Sequence, residues 1–406
     1  MATRPSLTAR LSLHQRAGGL VVPLLTTLLA FVVAGIVVLV TTGKNPLPIF
    51  RGIFDGTGLL WLVHWAVDIR TIAGTHDLYA TEADAVAVAA INLQQTLILT
   101  TTLILTGLAV AFAFRCGLFN IGGQGQYLVG VIAAVVIGTN FAGMPRLVHV
   151  PLALACAGLA GAAWAGIAGF MRATVGSHEV ITTIMLNWIA FWAGSYLFSI
   201  GGPLQSETQK SVPISDDVVE SAKLHVLWGG VQGLHVGFLI AIAALVVFWA
   251  ILNRTTLGFG IRAVGLNPEA ARYAGISVTR SYFLAMAIAG SFAGLAGGVD
   301  LLGWQFRFGQ IDIQGSDVGF VGIAVALLGR NRALGIFLSA LLFAALLTGT
   351  SARNLDAEVF DPELAGNLTL IIQGLIVLFV GADLLILSAW RARRRLPRPW
   401  RRREAA

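Results

Sequence analysis

The sequence predicts an all-α polytopic membrane protein. Three observations carry this: 56% of the 406 residues are hydrophobic and only 12% charged, mean hydropathy is +0.80, and apolar stretches long enough to cross a bilayer recur along the chain. A hydrocarbon core about 30 Å thick asks for roughly 20 apolar residues per helix. About ten such stretches are present, at residues 20–41, 92–114, 118–138, 150–170, 180–201, 235–252, 281–302, 317–329, 333–350 and 367–388. With all ten crossing, most of the 27 lysines and arginines fall on the cytoplasmic side when both termini are inside, the orientation favoured by the positive-inside rule.

The organisation expected is a basic cytoplasmic N-terminus at 1–19, a membrane domain at 20–390 and a basic tail at 391–406. The first stretch is too long for a signal peptide and lacks a small-residue cleavage site, so it is retained as an anchor. The tail, RARRRLPRPWRRR, puts its cations directly beside a membrane span. Anionic lipid, rather than nucleic acid, is the partner that this placement implies, despite a net charge of +7. Cys116 and Cys156 are the only cysteines, too few for a disulfide framework.

Between the first two spans, LLWLVHWAVDIR sets Trp61 and Trp65 four residues apart, as in an interfacial helix. The third stretch opens with RCGLFNIGGQGQYLVG, where glycines and the amides of Asn120, Gln124 and Gln126 interrupt an apolar helix. Amides within a bilayer need hydrogen-bond partners, so this is either interhelical packing or a broken helix lining a solute path. Asn187 and Trp188, in SHEVITTIMLNWIA, pose the same pair of alternatives. Small residues every fourth position at Ala157, Gly161, Ala165 and Gly169, and again at Gly290, Gly294 and Gly298, predict close-packing faces.

Residues 202–234 form a long polar outer segment expected to lie over the mouth, a solvated loop being the simplest reading. The eighth stretch is short in its clean apolar part, FVGIAVALLG, and is preceded by Asp317. A re-entrant segment or half-helix is therefore an alternative to a full crossing. The third and eighth stretches occupy matched places in two five-span halves running in opposite directions. An inverted 5+5 repeat would put interrupted helices at such places and a solute site at the midplane between them.

The polar interruption at 253–280 contains LNPEAARYAG. Asn267 suits an N-cap, Pro268 the first helical position, Glu269 the positive helix end and Gly275 the C-terminal turn. A helix so short is marginal in water unless it packs on something, so it is expected to dock on a partner. The chain has no phosphate-binding G-x-x-x-x-G-K-[ST], no H-E-x-x-H and no G-x-S-x-G, which leaves no basis for a bound nucleotide, a metal or an enzyme activity of its own. A transporter without an engine needs one from outside.

The run EAARYAG resembles the EAA-x-x-x-G loop of ABC importer permeases, and its setting, GIRAVGLNPEAARYAGI, is similar to that in bacterial nucleoside and simple-sugar permeases of the branched-chain amino acid and ribose permease superfamily. GLFNIGGQGQ, HEVITTIMLN and GFVGIAVALLGRNRALGI resemble the nucleoside branch as well. Two departures stand out: Gln124 where that pattern has Glu, and Ala333 where it has Pro. The resemblance implies a plasma-membrane permease subunit of an ATP-driven importer of nucleosides or related sugars. It implies as partners ATPase subunits carrying the ATP, a second homologous permease in a heterodimer, and an extracytoplasmic substrate-binding lipoprotein. Arg262, Asn267, Pro268, Glu269, Ala270, Ala271, Arg272 and Gly275 would then contact the ATPase; Asn120, Gln124, Gln126, Asn187, Trp188 and Asp317 are the candidates for the solute path. A permease for branched-chain amino acids or another small solute, and a channel or scaffold with no energy coupling, remain as alternatives.

Overall fold

The computed structural model describes residues 26–41, 43, 45–73, 81–230, 232–351, 367–368 and 370–379. The basic N-terminus at 1–19 and the arginine-rich tail at 391–406 lie outside them, as do parts of the first and last apolar stretches. The chain divides into two compact units, each taken by itself. Residues 1–44 with 370–406 form one, and Asn45–Thr369 forms the other. Among its described residues the first holds two apolar helices, α1 (Thr26–Thr41) and α15 (Leu370–Phe379), which follows the helices of the second unit in sequence.

In the second unit the helices run in order α2 (Pro46–Gly56), α3 (Ile69–Ala73), α4 (Glu82–Arg115), α5 (Gly123–Gly138), α6 (Arg146–Thr174), α7 (Glu179–Leu197), α8 (Gly237–Arg254), α9 (Thr256–Leu266), α10 (Pro268–Tyr273), α11 (Val278–Asp300), α12 (Gln310–Gly315), α13 (Val318–Leu328) and α14 (Ala333–Gly349). Among the described residues, six helical stretches are long and apolar enough to cross a membrane: α4, α6, α7, α8, α11 with the turn that follows it, and residues 310–328. A two-stranded antiparallel hairpin, β1 (Val226–Trp228) with β2 (Leu234–His235), precedes α8.

Helix α4 is the central mast. It begins ten residues earlier than the apolar pattern alone suggests, because Thr81 and Asp84 form a reciprocal capping box. Leu103, Ile104, Leu105, Leu108 and Phe112 on it are wholly buried. Against it pack α8, α11, α13 and α14.

The two small-residue faces foreseen in α6 and α11 pack on each other. A Cβ at Gly161 would come within 2.3 Å of the Gly290 carbonyl, and one at Gly294 within 2.2 Å of the Ala157 carbonyl. The backbones therefore touch, which is what small residues at membrane interfaces allow.

The segment between the first two apolar stretches is broken rather than one interfacial helix. A 3₁₀ turn at Leu59–Val63 separates α2 from α3. Leu60 and Ile69 are buried against Ala85 and Ala89 of α4. Trp61 turns inward and packs 4.7 Å from Trp228, while Trp65 is exposed. The outer segment 202–234 is tied down and not simply solvated: Ser215 N–H donates to the Phe308 carbonyl at 2.8 Å, Val218 to Phe306 at 2.7 Å and Leu224 to Leu302 at 2.8 Å. The polar interruption at 253–280 holds two helices, α9 as well as the short α10. Thr255 caps α9 by accepting from Gly258 N–H at 3.0 Å.

Candidate functional site

The interruptions in the third and eighth apolar stretches meet. Helix α5 starts only at Gly123, and α13 starts only at Val318 after a break at Ser316–Asp317. At about 1.5 Å per residue each falls short of a 30 Å core. Their first turns touch: a Cβ at Gly319 would lie 2.3 Å from the Gln124 backbone nitrogen. Gln124 bridges the junction with both ends of its amide, Nε2 donating to the Ser316 carbonyl at 2.7 Å and Oε1 accepting from Gly319 N–H at 2.9 Å.

Beside this junction lies a cavity of about 230 Å³, walled by α5, α7, α12 and α13. Of the expected path residues, Gln124, Asn187, Trp188 and Asp317 line it. Asn187 also braces the broken stretch, since its Nδ2 donates to the Ile121 carbonyl at 2.9 Å and its Oδ1 accepts from Gly125 N–H at 2.8 Å. Asn120 and Gln126 do not reach the cavity. They pair amide to amide, at 3.0 and 2.9 Å, and Asn120 accepts from Gly122 N–H, so both amides are used in holding the entry to α5. Further lining comes from Phe191, Gln314, Ser316 and Phe320. Those residues escape a sequence reading because they look like ordinary helix and loop positions; of them, only Ser316, next to Asp317 at a break, carried a signal. Its hydroxyl is buried with no hydrogen-bond partner among the described residues.

One turn beyond Gln124 the bundle holds a buried carboxylate. Asp300, at the end of α11, accepts from Thr102 Oγ1 at 3.0 Å, Tyr127 OH at 2.6 Å and Trp304 Nε1 at 2.5 Å. Three donors from α4, α5 and the π-helical turn Leu301–Gln305 thus satisfy a charge that would otherwise be costly to bury.

A second, exposed element is α10. Asn267 Oδ1 accepts from the N–H groups of Glu269 and Ala270 at 3.0 and 3.1 Å. Pro268 takes the first helical position, and Gly275 adopts φ +79° just past the helix end. Ala271 is the buried residue that anchors the helix. Glu269 and Arg272 form an open ion pair at 3.5 Å, both side chains about two-thirds exposed, and Leu266 and Tyr273 are almost fully exposed. Arg262 lies on α9 beside Arg115 at the wall of a separate surface cleft of about 520 Å³.

The family model described as branched-chain amino acid transport system, permease component, matches residues 92–381. The chain belongs to this permease family. It is 43% identical over 286 residues to the guanosine ABC transporter permease protein NupP of Bacillus subtilis, covering 70% of this chain and 80% of the relative. It is 38% identical to the nucleoside ABC transporter permease protein NupB of Lactococcus lactis, over 70% and 77% of the two chains. To a glucose ABC transporter permease protein of Haloferax volcanii it is 37% identical, over 71% and 76%. No solved structure matches. Bacillus subtilis and Lactococcus lactis each contribute a second, more distant relative, the guanosine and nucleoside permeases NupQ and NupC, at 27% and 26% identity. The permease is thus a multi-pass protein of the bacterial plasma membrane and a transport subunit of an ABC importer.

Proposed function

We propose that this permease carries nucleosides, or sugars related to them, through the cavity between α5, α7 and α13. The observation that carries the proposal is the cavity's lining: neutral amides at Gln124, Asn187 and Gln314 beside the rings of Trp188, Phe191 and Phe320. Gln314 offers a donor and an acceptor to a hydroxyl or base edge, Gln124 and Asn187 each keep a second N–H and a second oxygen lone pair beyond the bonds already described, and aromatic faces suit a heteroaromatic ring. Similarity to guanosine and nucleoside permeases supports the same class.

In this proposal the chain crosses ten times with both termini inside, and α5 and α13 are matched broken helices of an inverted 5+5 repeat. Its membrane domain at 20–390 pairs with a second homologous permease, as the paired relatives suggest. An extracytoplasmic lipoprotein delivers the solute, and the basic tail at 391–406 rests on anionic lipid. ATP is bound by partner subunits, which hold α10 through Glu269, Ala270 and Arg272. Asn267, Pro268 and Gly275 preset the shape of α10, Ala271 anchors it and Arg262 flanks it. Closure of the ATPases moves α10, and the bundle changes the side to which the cavity opens. Uptake of radiolabelled guanosine by proteoliposomes holding the permease pair and ATPases, with binding protein outside and ATP inside, tests this. Absence of ATP-dependent uptake for every nucleoside and sugar tried would sink it.

A second reading has its own observation. Two helix N-termini and the Asp317 carboxylate border the cavity, an arrangement that suits the carboxylate and ammonium of an amino acid. Competition between leucine and guanosine for uptake separates the two.

A further inference from the structure

One side chain makes both polar bonds across the junction of α5 and α13. The first turns of the two helices are in backbone contact there, Gln124 itself is 5% exposed, and its donor and acceptor are committed to Ser316 and Gly319. The same side chain lines the cavity, so any solute lying against α5 meets an amide whose two bonds close the wall. We propose that Gln124 is a releasable latch on the solute path, and that a solute presenting an adjacent donor and acceptor, such as a sugar diol or a purine edge, takes over its two bonds and frees α13 from α5. This rests on the transport proposal above.

The physical reason is exchange without orphaned groups. Parting the two helices in an empty cavity would leave a buried amide, a carbonyl and an N–H without partners, which disfavours opening. A solute that supplies both roles removes that penalty, so the latch opens when the cavity is filled. The nearby Ser316 hydroxyl, buried without a partner among the described residues, adds a group that a solute could satisfy.

The latch needs an amide. An ionised Glu at 124 could still accept from Gly319 N–H but would set negative charge against the Ser316 carbonyl; a protonated Glu would restore donor and acceptor together. Other ionisable groups on the surrounding elements are few. Asp317 lies at the same junction, Asp312 on α12 accepts from Gly309 N–H at 2.8 Å, Glu179 at the start of α7 pairs with Arg172 at 3.4 Å, and Asp300 at the end of α11, one turn away, accepts from Tyr127 of α5 at 2.6 Å.

The test places a reporter thiol at the junction, where the native side-chain oxygen is buried, Ser316→Cys, with Cys116→Ser and Cys156→Ser, in the assembled importer without solute or ATP. Labelling by a hydrophilic thiol reagent is measured relative to the same reporter with Gln124 retained, at each pH. Gln124→Ala, which removes both bonds, should label at least about tenfold faster. Gln124→Glu should match the reference at acid pH and label faster as pH rises and the carboxyl ionises. A ratio near one for both variants at every pH overturns the latch, as does a Gln124→Glu ratio that is raised but independent of pH, which would mark simple misfolding. Guanosine uptake by the unsubstituted importer is read separately, so failure of the transport proposal is distinguishable from failure of the latch.

Discussion

Two helix junctions in this permease bring backbones equally close and hold them by different means. The α6–α11 seam is built on glycine and alanine at its closest points, with a carbonyl 2.2 Å from where a Cβ at Gly290 would stand. At those closest points no side-chain hydrogen bond is available to trade, and dispersion over a long, complementary face holds the helices together. The α5–α13 junction is as tight at Gly319 but is short, edges a cavity, and is held by the two bonds of Gln124. A seam of the first kind is expensive to part at any point. A junction of the second kind can part wherever another molecule offers the same two bonds.

Substitutions can break that comparison in order of expected effect. Gly290→Leu should be the most damaging, because the neighbouring carbonyl belongs to backbone and cannot yield; overpacking of about 3 kcal/mol or more is expected, read as loss of assembled protein or a large fall in Tm. Asp300→Ala leaves the Tyr127, Trp304 and Thr102 donors unpartnered in the core, at a cost of about 2–3 kcal/mol in thermal or denaturant unfolding. An unchanged Tm there would mean that the buried network is not structural.

Asn187→Ala removes two bonds to the entry of α5 and one polar group from the cavity, so a loss of about 1–2 kcal/mol is expected together with a raised KM for uptake. A change in stability with KM untouched would confine Asn187 to bracing. Glu269→Arg should leave Tm unchanged, since the side chain is open to solvent, yet lower ATP-driven uptake by at least about tenfold if α10 seats on the ATPase. Normal uptake with normal assembly would remove α10 from the coupling interface.

Much of this was legible in the residues. The caps of α10 at Asn267, Pro268 and Gly275 could be read directly, because each acts within one helical turn. The small-residue faces of α6 and α11 were visible from their spacing, and the amide-rich stretch near Gln124 stood out as an interruption that either interhelical packing or a broken helix could explain. The start of α9 was harder to read: Thr255 is a suitable cap, but Gly258, Gly260 and Gly265 give the helix that follows a poor intrinsic propensity. Nor was the division of labour among three amides: Asn120 and Gln126 satisfy each other, whereas Gln124, two residues from Gln126, reaches across the bundle.

By itself, then, the sequence determined that the chain lies in a membrane, where its apolar stretches are interrupted, which faces can pack closely and how the exposed α10 is capped. These are short-range properties, decided by hydropathy over a span and by hydrogen bonds within a turn. Only the tertiary structure decided that the α6 glycines face those of α11, that Trp61 packs on Trp228, and that the Gln124 amide closes on Ser316 and Gly319. Each of those pairings joins residues far apart in the chain. What selects them is the fit of whole helix faces around α4, which residue types alone leave open.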